Sequence, residues 1–70
     1  MKELDTTEAV PHMVNVMGEL HELIDHMRRD AQRVADPRAA ALFETSAEVL
    51  AGLERAFGIR IEMETNANTR

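Results

Sequence analysis

Five side chains on two predicted helices have the types and spacing that could bind a divalent metal ion. Glu22 and His26 are four residues apart, so they share one face of a helix, and Glu19 lies one turn before Glu22. The second predicted helix carries Glu44 and Glu48, which are also four apart. Carboxylate and imidazole ligands suit iron, manganese or zinc. One hypothesis is therefore a metal-binding, four-helix-type bundle that uses Glu19, Glu22, His26, Glu44 and Glu48.

The apolar pattern around these residues favours a solvated polar face instead. Glu19, Glu22 and His26 lie opposite the apolar stripe of their own helix, so they face water if that stripe is the core. Ferritin-like di-iron bundles use a Glu-x-x-His pair, and no glutamate stands three residues before any of the three histidines. The metal site is therefore kept as the alternative, and no bound cofactor is predicted.

Residues suited to nucleophilic catalysis are scarce in this chain. The sequence contains no Cys, which excludes a thiolate nucleophile, a disulfide scaffold and an iron–sulfur site. Ser46 falls within a helical stretch, where a hydroxyl commonly bonds the carbonyl one turn back. The three glycines are isolated, so no phosphate-binding loop is present. We therefore predict no catalytic residues and favour a binding or assembly module over an enzyme.

Length and charge narrow the class of protein further. A chain of 70 residues has room for a single domain, which we place over residues 1–70. The net charge of −5 opposes binding to nucleic acid. No apolar run reaches the roughly 20 residues that span a bilayer, so no membrane partner is expected. The first residues lack a cationic segment followed by an apolar block, and we expect a cytoplasmic protein.

Helical periodicity is the strongest signal in the sequence. Apolar residues recur every three or four positions from Val10 to Val34, which predicts an amphipathic helix over about residues 8–35. Proline disfavours helical geometry in the residue before it, while aspartate is a good N-cap and proline suits the first helical position. Asp36 and Pro37 are therefore predicted to end one helix and begin a second, over about residues 37–57.

The apolar pattern changes at Gly58. Glycine often ends a helix in the left-handed conformation. After it, Ile59, Ile61 and Met63 alternate with charged residues, which is the pattern of a short strand. We therefore predict a short extended C-terminal tail over residues 58–70, which could pair with its copy in a second subunit.

The width of the two apolar stripes predicts self-association. Two helices joined by so short a connection form an antiparallel hairpin, which has a single contact line. Each stripe has a flanking row beyond that line, and packing within the hairpin would leave Val16, Leu23, Leu42 and Val49 largely exposed. We therefore expect an all-α fold in which hairpins assemble as a homo-oligomeric, four-helix-type bundle. The predicted interface comprises Met13, Met17, Leu20, Ile24, Met27, Phe43, Leu50, Leu53 and Phe57.

Two further hypotheses concern the same surface. An amphipathic helix of another protein could occupy the apolar groove in place of a second copy. His21 lies at the edge of the stripe, within reach of Asp25 one turn later. Because free imidazole titrates near about pH 6.5, His21 is the residue predicted to make assembly sensitive to pH if its side chain is buried.

Overall fold

Two α-helices make up the computed structural model, which describes residues 3–68. The first helix, α1, spans Ala9–Arg33, and the second, α2, spans Pro37–Asn68. They pack against each other as an antiparallel hairpin connected by residues 34–36. Between residues 3 and 68 there is no strand. The predicted all-α hairpin is therefore confirmed.

Thr6 organises the entry to α1. Its hydroxyl oxygen accepts a hydrogen bond from the main-chain N–H of Glu8 at 3.2 Å, and its carbonyl accepts one from His12 Nε2 at 2.7 Å. The helix begins at Ala9, one residue after the predicted start. Pro11 lies within the first turn, where its missing N–H would have no intrahelical partner.

Asp36 connects the two helices as the sequence predicts. Its carboxylate oxygen Oδ1 accepts a hydrogen bond from the N–H of Arg38 at 3.0 Å, and its carbonyl accepts one from the N–H of Ala40 at 2.9 Å. The first bond satisfies an N–H group that a helix start leaves without an intrahelical partner, and the second is the first main-chain hydrogen bond of α2 itself. Pro37 is the first residue of α2. The end of α1 at Arg33 falls two residues before the predicted residue 35.

The prediction of an extended tail over residues 58–70 is wrong for the part that the structure describes. The second helix continues through Gly58 to Asn68, and residues 69–70 lie outside the described residues. No glycine between residues 3 and 68 has a positive φ, so Gly58 does not end the helix. The hydroxyl of Thr65 donates to the carbonyl of Ile61 at 2.8 Å, a bond typical of a helix interior.

Packing against α1 explains why the helix continues. Gly58 lies beside Met17, so the residues after Gly58 run alongside the first turns of α1. Ile61 is one turn beyond Phe57 and both are half-buried, so the apolar stripe continues at helical spacing. The alternation of Ile59, Ile61 and Met63 with charged residues favours a strand only weakly. Packing of an amphipathic helix face overrides this local preference.

The hairpin is a thin slab rather than a rounded globule. Its principal extents are 51 × 22 × 13 Å, and its radius of gyration is 15.2 Å, whereas a compact domain of this length would have about 11 Å. Among the described hydrophobic residues, Ile24 (3% exposed) and Ala47 (0%) are the two that are buried. A slab one helix thick cannot enclose more of its apolar surface.

Candidate self-association surface

The structure does not bring the five predicted metal-binding residues together. Glu19, Glu22 and His26 are exposed on the side of α1 that faces away from α2, where they border a shallow depression whose lining residues all belong to α1. His26 Nε2 pairs with Asp30 at 3.2 Å instead of with Glu22. No group of three or more His, Cys, Asp or Glu side chains in residues 3–68 is arranged to hold a metal ion.

The two glutamates of α2 are also separate from that cluster. Glu44 and Glu48 are exposed, and Glu48 Oε1 lies 3.9 Å from Arg28 Nη2 on α1. This contact is a surface ion pair across the border between the helices. Such pairs contribute little to stability.

His21 forms a close polar contact between the two helices. Its Nδ1 lies 2.9 Å from Glu54 Oε2 on α2, and its Nε2 lies 3.8 Å from Asp25 Oδ2 on its own helix. The imidazole is 65% exposed while Glu54 is more buried. The predicted neighbour Asp25 is therefore present. Glu54 was not predicted, because the partner of His21 depends on the register between helices.

A row of small residues on α2 forms the contact line with α1, and sequence reasoning missed its role. Ala47 is fully buried there, and at Gly58 an added Cβ would lie 3.3 Å from Met17 Cε. The spacing of seven, four and seven residues places all members of the row on one side of the helix. That spacing was the available signal for this row: Ala40, Ala47, Ala51 and Gly58.

The large apolar residues of α2 lie beside the small row, on one flank of the contact line. Phe43, Leu50 and Phe57 are only half-buried, and Leu53 is exposed. On α1 the contact line is formed by residues spaced seven apart, among them Met17 and Ile24. Thus the predicted interface is divided: Met17 and Ile24 pack inside the hairpin, and most of the other predicted residues border an open side.

That open side is a mainly apolar face, in which Ser46 is the polar member because it lies four residues from both Leu42 and Leu50. On α1, Leu23 lies about 200° around the helix from His21, so the ion pairs border one side of the contact line and the apolar residues border the other. On α2, Val49 and Leu42 are seven apart and share a stripe with Leu53. All three are exposed, as is Leu23. We define the apolar face by Val16, Leu20, Leu23 and Met27 of α1 and Leu42, Val49, Leu50, Leu53 and Phe57 of α2.

The surface area of the chain is large for its mass. The hairpin exposes 5507 Å², whereas a folded monomer of this mass is expected to expose about 4400 Å². The excess is about 1100 Å² per chain by the same relation. Three of the four flanking residues predicted to stay exposed, Leu23, Leu42 and Val49, are exposed, and Val16 is half-buried.

Comparisons with known proteins do not assign the chain to a family. No protein-family model, curated protein sequence or solved structure matches the chain. Within residues 3–68, neither helix has the length and apolar character required to cross a membrane.

Proposed function

We propose that this chain is a non-enzymatic protein-interaction module that associates with a second copy of itself. Two hairpins pack their apolar faces together and form a four-helix bundle with one shared core. The observation that carries the proposal is the exposed row Leu42, Val49 and Leu53, beside a hairpin core with two buried hydrophobic residues.

The area available supports a stable homodimer. Removing the excess of about 1100 Å² from each of two chains buries about 2200 Å² in total, which lies in the range of obligate homodimers. At about 25 cal/mol per Å² of apolar surface, exposing this face to water is costly for a small chain with so thin a core. A second copy supplies a face of the same apolar chemistry.

Native mass spectrometry and sedimentation equilibrium test the proposal directly. The expected species is a dimer of the 7.9 kDa chain, with a melting temperature that rises with protein concentration because dissociation and unfolding are linked. A monomer whose melting temperature is independent of concentration would contradict the proposal. A divalent metal retained in the native spectrum would support the alternative metal-binding bundle.

Two valines provide a matched pair of variants. Val49 lies on the apolar face and is 61% exposed, while Val14 is 53% exposed on the side that carries His21, seven residues later. Val49→Glu should shift the mass to the monomer, because it places a charge in the shared core. Val14→Glu should leave the dimer intact. Equal effects of the two variants would show that the apolar face is not the interface.

A further inference from the structure

Charge is distributed unevenly along the 51 Å length of the hairpin. We call residues 26–44 the loop end; it carries four arginines against three carboxylates. Among the described residues, the open end, residues 3–17 and 58–68, carries five carboxylates against one arginine, and the sequence adds Lys2 and Arg70 just outside these ranges. The carboxylates of the open end belong to Glu3, Asp5, Glu8, Glu62 and Glu64, and the arginines of the loop end are Arg28, Arg29, Arg33 and Arg38.

Two symmetric arrangements could bring the apolar faces of two copies together. If the two-fold axis runs along the hairpin, the loop ends meet each other and the two acidic open ends meet each other. If the axis runs across the width of the slab, each open end lies over the loop end of the other copy. The first arrangement places like charges together, whereas the second pairs acidic with basic ends.

We infer that the two copies stack antiparallel, with the two-fold axis across the width of the slab. We call this two-fold arrangement head-to-tail stacking. This inference rests on the proposed self-association and adds the orientation of the second copy. Charge complementarity between the ends selects it, since the apolar face alone is compatible with both arrangements. In this dimer, residues near mid-length, such as Leu23 and Leu53, lie close to the axis and pack near their own copies.

Two charged residues at the ends of the α2 stripe fit this orientation. Arg38 lies four residues before Leu42, and Glu64 lies seven residues after Phe57, so both border the apolar face at opposite ends of the helix. Arg38 is exposed, and Glu64 is half-buried and paired with Arg60. Head-to-tail stacking of α2 on its copy brings Arg38 of each chain towards the Arg60–Glu64 ion pair of the other. The lengthwise axis keeps these two groups at opposite ends of the assembly.

A single spin label at the connection distinguishes the two orientations. The chain has no native Cys, so Ala35→Cys introduces one label per chain at an exposed bend outside both helices. Pulsed dipolar spectroscopy on the full-length protein then measures the distance between the two loop ends. Head-to-tail stacking predicts a distance close to the 51 Å length of the hairpin. The lengthwise axis predicts about two helix diameters, roughly 20 Å.

A label at Arg55→Cys, near mid-length on an exposed position, serves as the control because it reports dimerisation in either orientation. A long distance at residue 35 with coupling at residue 55 supports head-to-tail stacking. A short distance at residue 35 overturns it and leaves the proposed self-association intact. Absence of coupling at both positions shows that the chain is monomeric and overturns both proposals.

Discussion

The Cε atom of Met17 lies 3.3 Å from the position that a Cβ atom on Gly58 would occupy. This distance is shorter than an ordinary van der Waals contact of about 3.5–4.0 Å between carbon atoms. The absence of a side chain at Gly58 therefore allows α1 and α2 to approach closely towards the open end of the hairpin. Gly18, in contrast, has open space where its Cβ would lie.

Replacing each of the two glycines by alanine should change the free energy of unfolding by different amounts. Gly18→Ala should raise the free energy of unfolding by about 0.5–1 kcal/mol, because alanine is the better helix former and nothing obstructs its methyl group. Gly58→Ala should give a smaller gain, because the end of the Met17 side chain must move. Urea denaturation measures both values. An equal or larger gain at Gly58 would show that Met17 does not restrict that position.

The buried isoleucine predicts a large effect of truncation. Ile24→Ala should lower the free energy of unfolding by about 2–4 kcal/mol, because it removes apolar contacts and leaves a cavity between the helices. Ile59→Ala is the matched control, since Ile59 is 60% exposed on α2, and its effect should stay within about 0.5 kcal/mol. Similar losses at both positions would mean that Ile59 is buried in the assembled protein.

Asp36 is the N-cap of α2. Asp36→Ala should lower the free energy of unfolding by about 1 kcal/mol, because the N–H of Arg38 loses its acceptor. Asp36→Asn should retain most of the stability, since an amide oxygen can accept the same bond. Thermal unfolding followed by circular dichroism measures both variants. If Asp36→Asn is as destabilised as Asp36→Ala, the carboxylate charge rather than the hydrogen bond is responsible.

The contact between His21 and Glu54 predicts a small coupling energy. A double-mutant cycle with His21→Gln and Glu54→Gln should give less than about 1 kcal/mol, because the imidazole is largely exposed. Urea denaturation of the four proteins measures this coupling, and a value well above about 1 kcal/mol would contradict the prediction.

His21 lies on the side opposite the apolar face, so His21→Gln should leave the mass of the proposed dimer unchanged at acid and at neutral pH. Light scattering provides this measurement. A pH-dependent change of mass in the wild-type protein that His21→Gln abolishes would instead connect this residue with assembly, as the sequence suggested.

Local sequence signals predicted those parts of the fold that depend on local chemistry. The pair Asp36 and Pro37 marks the break because proline restricts the preceding residue and aspartate caps the helix that follows. The stripe from Val10 to Val34 predicts α1 because its periodicity extends over seven turns. These features hold in the structure to within two residues.

The parts that were not predicted depend on how the two helices align. Gly58 resembles a helix end in isolation, but beside Met17 it is a point of close approach. The small row that includes Ala47 contacts α1, although the large residues Phe43 and Leu50 form the more conspicuous stripe. Periodicity ranks residues by hydrophobicity, whereas packing distance depends on side-chain size, so the sequence alone did not indicate which row would face α1.

The connection at Asp36 and Pro37 also excludes an alternative shape. If residues 34–36 became helical, residues 9–68 would form one rod about 90 Å long, with its apolar stripe available along the whole length for exchange between chains. Pro37 opposes this form, because its ring clashes with the preceding turn and it lacks the N–H that a continuous helix requires. One proline thus favours the closed hairpin over an extended rod that could exchange helices between chains.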